Sequence, residues 1–521
     1  MEEKMISQAV RKNLLRKNRV LWFYGITAFF SFAICLIFWC TSAFRNAILS
    51  SLELRNGSGA FVWWQSPPVS LVYKVYVFNY TNTEEFESGN ASKLHVEEVG
   101  PYVYRESLSR VNVRTYENGT VSYQEKRTFE WQGGRRDDET VTVPNVPLMS
   151  VIAYSRDVSY GAKVILNLFL AALNEKTFLQ LSAGELLWGY DDKIYQMARP
   201  FMSQQILTEK FGLLAFKNGL DKDRITMNAG IGDLRNLGLI ERINGRNDRN
   251  IWADDKCDGV YGTDGSMFPP HFLQDTNTTL YVYVKDICRN IPFRYEGREF
   301  ANGIPALRYK MPNDAFTSTT RKDYCFCTKQ SSNVGPTSSA RSCPPAGTFN
   351  VSVCNVGSPL LASFPHFYSG AKSLFETIDG LNPEPKRHQT YFDLHPWLAV
   401  PMTGWSRFQL NLEVRKVVGV PFSGNLKDGT ILPLIWIEAG IDKMPEPVLD
   451  VLRQAYYTVN AIEAALQWCS LIASILSVAA FIAAFKRNLR NELVAAVTTL
   501  GTDLVPTCAQ PRPSFNAGPL H

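Results

Sequence analysis

VLWFYGITAFFSFAICLIFWC, residues 20–40, holds 21 positions without a charge, and the uncharged run continues to Phe44 before Arg45 ends it. At 1.5 Å per residue, a helix of this length crosses a hydrocarbon core of about 30 Å. A second block, Ala464–Phe485, opens just after Glu463 and closes at Lys486. Two crossings are therefore expected, at 20–44 and 461–485, with the whole of 45–460 between them. A cleaved signal peptide competes for the first block, because Thr41, Ser42 and Ala43 are small, but the apolar stretch is too long for one.

Orientation follows from the basic residues. Arg11, Lys12, Arg16, Lys17 and Arg19 precede the first block, and Lys486, Arg487 and Arg490 follow the second. The positive-inside rule makes 1–19 and 486–521 cytosolic tails and 45–460 an extracellular or lumenal ectodomain. The net charge of +5 resides in those tails, which leaves the segment between them near neutrality and without a field for nucleic acid. Composition, 45% apolar and 20% charged, excludes a disordered chain.

Acceptor motifs for N-linked glycans occur at Asn56, Asn79, Asn90, Asn118, Asn277 and Asn350, all between the two blocks. Six of the ten cysteines, Cys257, Cys288, Cys325, Cys327, Cys343 and Cys354, lie there as well, while Cys35, Cys40 and Cys469 are in the spans and Cys508 is in the tail. An even number in an oxidising compartment reads as three disulfides. A zinc site is the competing reading, but Cys325 and Cys327 are too closely spaced and no histidine is near.

Within the ectodomain, Phe408, Leu410, Leu412 and Val414 alternate with Arg407, Gln409, Asn411, Glu413 and Arg415, the pattern of a strand with one face in the core and one in solvent. Similar stretches at Val72–Phe78, Val121–Glu130, Thr279–Val284 and Leu307–Met311 point to an antiparallel sheet. Tyr160–Leu173 is almost wholly apolar and too short to span, so a helix buried under its neighbours is the favoured reading, against one left uncovered for lipid or a partner. Ser331–Pro345 is a turn-rich stretch within what otherwise reads as one large domain.

The chain contains no nucleophile elbow, phosphate-binding glycine loop or paired-histidine zinc helix. His388 and His395 near Asp393 suggest a proton shuttle at most, and structural hydrogen bonding is the favoured reading of these residues. No enzyme, cofactor or metal is expected.

A series of short motifs runs in order along the chain: Gly100–Glu106 (GPYVYRE), Leu186–Tyr190 (LLWGY), Gly262–Gly265 with Phe268–Pro270, Asp286–Arg289 (DICR), Asp323–Thr328 (DYCFCT), Pro365–Phe367, Asp379–Pro383 (DGLNP) and Leu434–Glu438 (LIWIE). Together they resemble the class B scavenger receptors, whose branches include fatty acid translocases, high-density lipoprotein receptors, lysosomal membrane proteins and sensory neuron membrane proteins. The resemblance implies an α+β membrane protein. Two transmembrane helices would flank an ectodomain with an antiparallel β-barrel-like core, an apical helical bundle and an internal apolar tunnel. It also implies the pairings Cys257–Cys325, Cys288–Cys354 and Cys327–Cys343, which arithmetic alone leaves open among 15.

A tunnel has a physical rationale. Exposing a sixteen-carbon chain to water costs about 0.8 kcal/mol per methylene, on the order of 12 kcal/mol in all, so an apolar conduit to the bilayer allows transfer without an energy source. The resemblance places ligand docking at the apex, here Val164, Leu168, Phe169, Leu173 and Lys176. The family's basic loop is reduced to one lysine beside Glu175, and Lys176 reads as a plain solvated side chain. His395 stands where the family carries a carboxylate, either as a pH-sensitive group or as a neutral loop substitution, the latter favoured.

The expected function is a cell-surface scavenger receptor. It would dock lipoproteins, lipid carriers or fatty acids and pass fatty acids, sterols or sterol esters to the membrane. The expected location is the plasma membrane, multi-pass with both termini cytosolic. A lysosomal sorting receptor carrying a lumenal enzyme, in a lysosomal or endosomal membrane, and a chemosensory lipid co-receptor are the alternatives. The resemblance leaves room for a homo-oligomer.

Overall fold

A computed structural model describes residues 2–201, 208–252, 255–318, 324–329, 341–354 and 357–502. Asp323, most of the turn-rich stretch at 331–345, and the tail beyond 502 with Cys508 lie outside the described residues. The chain divides into two compact units, one formed by Met1–Ile48 with Tyr457–His521 and the other by Leu49–Tyr456.

The first unit is a pair of long helices, α1 (Glu2–Cys40) and α8 (Val459–Thr502), each apolar enough over 18 residues or more to cross a membrane. They run antiparallel. Ser31 Oγ meets Ser477 Oγ at 2.5 Å, Trp39 Nε1 donates to the Gln467 carbonyl at 2.9 Å, and Arg45 pairs with Glu463 at 3.0 Å. Small residues let the backbones approach, and Phe481 lies against Gly25. The first helix stops at Cys40, short of the expected Phe44, because Thr41 and Ser42 break it before a short helix resumes at Ala43–Leu49.

The second unit is built on twelve principal strands: β1 (Leu71–Tyr80), β2 (Leu94–Thr115), β3 (Thr120–Gly134), β4 (Ile225–Asn228), β5 (Ile240–Ile243), β6 (Leu280–Val284), β7 (Arg289–Ala301), β8 (Ile304–Lys310), β9 (Leu360–Ser363), β10 (Tyr391–Leu394), β11 (Pro401–Glu413) and β12 (Ile431–Gly440). Their hydrogen-bonded order is β5-β4-β3-β2-β1-β12-β11-β10-β8-β7-β6, with β9 also paired to β11. Every pairing on this path is antiparallel.

The two ends of that order are joined. Ile240 of β5 donates its N–H to the Gly262 carbonyl, and the next residue, Thr263, bridges β6 by exchanging hydrogen bonds with Tyr281 and Tyr283. The sheet thus closes into a barrel whose seam is the Gly262–Gly265 segment, and closure removes the open edges that invite aggregation. Gly262 has φ +82°, and a Cβ there would collide with the Tyr281 carbonyl oxygen. Only glycine fits this position without displacing the seam.

β12 is the central strand, with nine of its ten positions buried, as expected of a strand covered on both faces. Pro433 is tolerated there because the β11 register shifts between Leu410 and Asn411, which places the proline at an irregularity in the ladder. Four short helices, α3 (Val146–Tyr154), α4 (Tyr160–Leu173), α5 (Ala183–Trp188) and α6 (Lys193–Ala198), form the helical part; α2 is Gly59–Gln65 and α7 is Glu446–Arg453. Their starts are set by capping side chains: Asn145, Ser159, Ser182 with Glu185, and Asp192. Asn174, at φ 52°, ends α4 in the left-handed conformation.

Three disulfides, Cys257–Cys325, Cys288–Cys354 and Cys327–Cys343, clip the region after β5, with Cα separations of 6.0, 6.1 and 4.7 Å. The first two close loops of 68 and 66 residues and restrict the unfolded chain most.

The seam gives a direct test. Gly262→Ala should lower the stability of the Leu49–Tyr456 unit by at least about 2 kcal/mol, through left-handed strain plus overlap. Gly303→Ala, at φ +78° with open space around it, should cost no more than about 1 kcal/mol. Urea unfolding of the two variants measures the difference, and equal losses would contradict the seam.

Candidate functional site

The site begins with a strand whose two faces are used in an unexpected way. On β11, Arg407, Gln409 and Asn411 are buried, as are Met402 and Leu412, while Phe408 and Leu410 between them are only half-buried. The expectation of a polar face in solvent is therefore corrected: β11 is covered on its polar side. Gln409 Oε1 accepts from the His366 N–H at 2.6 Å, and its amide donates to Asn411 at 2.6 Å. Asn411 in turn donates to the Leu361 carbonyl and to Ser363. Arg407 lies on Glu438 of β12 at 2.6 Å and donates to the Gln389 carbonyl. These polar groups are satisfied, so their burial is tolerable.

Phe408 and Leu410 are not fully packed because they line a cavity. Ile435 and Ile437 of β12 lie in its wall beside them, in register as Leu410↔Ile435 and Phe408↔Ile437. Leu360 and Ala362 of β9, Leu213, Leu214, Phe211, Ile287 and Val351 complete a mainly apolar wall. The cavity offers about 120 Å³ to a water-sized molecule, and about 980 Å³ lies between its walls when the open solvent at its mouth is counted. Ile287 and Val351 stand next to the Cys288–Cys354 bridge, which braces that side of the wall.

One charged pair, Lys217 with Asp286, also lines the cavity. Behind it Lys285 pairs with Glu125 and Asp221, and Arg127 pairs with Glu125 at 2.8 Å and Glu106 at 3.3 Å. Burial alone pushes the Asp286 carboxyl up, but Lys217 and Lys285 beside it hold it below the usual range, so it is ionised. Burial raises the Glu106 carboxyl.

On the opposite face of β12, Glu98 of β2 accepts from His366 Nε2 at 2.6 Å and from Trp436 Nε1 at 3.0 Å, and pairs with Arg387. His366 Nδ1 accepts the Asn382 N–H, which fixes Nε2 as the donor. His388 stacks on His366 with ring centroids 4.8 Å apart. Burial, with His366 and Arg387 adding to it, pushes His388 down to about 3.

The imagined histidine and aspartate shuttle is not assembled. Asp393 is gripped by Arg308 through two hydrogen bonds of 2.8 and 2.9 Å, and His395 turns to backbone instead. His395 Nδ1 accepts from the Trp397 and Leu398 N–H groups, and Nε2 donates to the Leu452 carbonyl. Burial pushes it down to about 4, so above that pH it stays neutral as a structural tie. Among the described residues, no group of three or more His, Cys, Asp or Glu is placed to hold a metal ion.

The docking residues separate into two sets. Val164 and Leu168 project outward together with Tyr160 and Ile165, while Phe169 and Leu173 pack on the core, and Lys176 is exposed. The favoured expectation of a buried helix is corrected, since Leu170 alone is fully buried and Ile165 and Leu168 are about 70% exposed. Val418, on a turn linked to α4 through the Asn167 contact with the Gly419 carbonyl, adds a further exposed apolar side chain. Glycan acceptors Asn56, Asn90, Asn118 and Asn277 are exposed, and Asn79 is half-buried in β1. Asn350 is 4% exposed, sits in a strand paired with Leu361, and accepts the Ser352 N–H.

Sequence reasoning missed Lys217, Asp286 and the lining role of Phe408, Leu410, Ile435 and Ile437, which look like ordinary core. It also missed Tyr160 and Ile165, although their spacing with Val164 and Leu168 at i, i+4, i+5 and i+8 marks one helix face.

The two buried histidines set the sign of the pH response. A histidine that titrates near 6.5 when unfolded but near 3 or 4 when folded binds a proton only in the unfolded chain over the interval between. Stability should therefore fall as pH drops from about 6.5 toward 4, by up to about 1.4 kcal/mol per pH unit for each histidine. His395→Asn keeps an acceptor for the two N–H groups without titrating, and should flatten the slope by about one proton in thermal melts between pH 7 and 4.5. An unchanged slope would contradict the assignment for His395.

Residues 23–485 match the CD36 family. Scavenger receptor class B member 1 of Bos taurus is 30% identical over 437 residues, 82% of each chain. Lysosome membrane protein 2 of Homo sapiens is 31% identical over 407 residues, 76% of this chain and 81% of the relative. Scavenger receptor class B member 1 of Rattus norvegicus is 29% identical over 413 residues, 78% of this chain and 77% of the relative. With the ordered motifs, the two apolar terminal helices and the closed antiparallel sheet between them, the chain belongs to the CD36 family, the class B scavenger receptors.

Proposed function

We propose that this chain is a cell-surface lipid receptor that docks lipid-carrying particles or carrier proteins on the outer face of α4 and takes lipid into the cavity beneath β11 and β12. The observation that carries this reading is the half-buried pair Phe408 and Leu410. Apolar side chains left incompletely packed inside a closed sheet imply a space kept for an apolar guest. The exposed face of Tyr160, Val164, Ile165 and Leu168 is the complementary docking element. Its relatives are named as scavenger receptors and a lysosome membrane protein, not as enzymes.

The proposed topology, with both tails cytosolic and Leu49–Tyr456 outside, is supported by basic residues flanking both spans and by three disulfides confined to the ectodomain. Location at the plasma membrane rather than in a lysosome is supported by the two neutral buried histidines, whose cost to the fold grows on acidification.

Photoreactive sterol and fatty acid probes, applied to the full chain in nanodiscs, should label peptides containing Phe408–Leu410 and Ile435–Ile437, saturably and in competition with unlabelled lipid. Leu410→Trp should fill the cavity and abolish that labelling while leaving particle capture intact. Ile165→Asp with Leu168→Asp should reduce particle capture by about tenfold or more without affecting labelling by lipid supplied from the nanodisc. Absence of competable labelling in the wild type would overturn the conduit and leave protein cargo on α4 as the function.

A further inference from the structure

The apolar cavity contains a charge pair whose position is costly unless it is used. Lys217 ends a 3-10 turn (Ala215–Lys217) on one side of the wall, with its side chain 7% exposed. Asp286 lies in the turn Lys285–Ile287, immediately before the disulfide-bonded Cys288. The carboxylate is therefore held on a braced segment, and the ammonium is brought to it. Of the three N–H donors on an ammonium, Asp286 takes one.

What stands behind the pair matters as much as the pair itself. Glu106, Glu125, Asp221 and Asp286 supply four carboxylates, and Arg127, Lys217 and Lys285 supply three cations. Arg110 with Asp264, also close to Glu125, adds a neutral pair. The polar end of the cavity therefore offers no surplus positive charge. A carboxylate arriving there would compete with the anchored Asp286 for Lys217 and would add a negative charge to a poorly solvated cluster. An alcohol would add none: its O–H can donate to Asp286 while its oxygen accepts from Lys217. An ester carbonyl can accept from Lys217 in the same way.

We infer that Asp286 is the specificity-determining residue of the cavity: by neutralising Lys217 it makes the site one for uncharged oxygenated lipids, alcohols and esters, in preference to carboxylates. This inference rests on the proposed lipid-binding role of the cavity and gives it a head-group preference. Asp286 acts through Lys217 as well as directly. Removing its charge while keeping its shape should free the ammonium for a charge-assisted hydrogen bond with an acid.

The test uses two photoreactive sixteen-carbon probes with the same tail, one ending in an alcohol and one in a carboxylic acid, on the full chain in nanodiscs at neutral pH. In the wild type the alcohol should reach half-saturation of the cavity peptides at a concentration about tenfold below the acid. Asp286→Asn should shift that ratio by at least about tenfold toward the acid. Adding Lys217→Gln to Asp286→Asn should remove the gain. A merely structural role for Asp286 would weaken both probes together and leave their ratio unchanged.

Equal or better labelling of the wild type by the acid overturns the preference while leaving the cavity's lipid-binding role standing. An unchanged ratio in an Asp286→Asn protein that still labels also overturns it. Absence of competable labelling by either probe in the wild type overturns the lipid-binding role, and this inference with it. The wild-type ratio decides the preference even if the variant does not fold.

Discussion

A strand that carries amides on one face and apolar side chains on the other can be buried only if the amides find partners. On β11 that requirement is met by Gln409 and Asn411, which bond to each other, to the His366 N–H and to Leu361 and Ser363. Once the polar face is closed in this way, Phe408 and Leu410 are directed to the other side, where the sheet curves around empty space. The cavity, its apolar wall and the placement of the histidine layer behind it all follow from the satisfaction of two side-chain amides. Leaving such groups buried and unpaired would cost a few kcal/mol each.

Much of this fold could be read from the residues. The uncharged runs at 20–40 and 464–485 specify α1 and α8, and alternation specifies β1 and β6 within two residues and β3 and β8 within four. Period two says that the faces of β11 differ but not which one the fold covers, and solvent was the wrong choice for the polar one. For α4, composition resembles a core helix, and only its neighbours determine that Ile165 and Leu168 remain uncovered. A glycan motif is three residues long, whereas the burial of Asn350 depends on its pairing with β9. Local signals report local facts.

Lys217 and Asp286 illustrate the harder limit. They lie 69 residues apart, in two 3-10 turns with no periodic signature, and each alone resembles an ordinary surface charge. Asp286 did appear within the ordered motif Asp286–Arg289, but the motif indicated kinship and not chemistry. Its meaning depends on the other charges buried around it, Glu106, Glu125, Asp221, Arg127 and Lys285, which arrive from β2, β3 and two loops. Buried ion pairs contribute little net stability, so a cluster of this kind in an apolar wall points to selectivity more than to strength.

The antiparallel pairing of α1 with α8 has a consequence for the life of the molecule after synthesis. In the proposed topology both ends of Leu49–Tyr456 are fastened to the bilayer, one through each helix. A single proteolytic nick in an exposed loop leaves both fragments tethered, and the three disulfides would hold many nicked forms together besides. Release of a soluble ectodomain into the surroundings requires two separate cuts, one near each span. In that topology the Leu49–Tyr456 unit leaves a membrane together with its two helices unless both cuts are made.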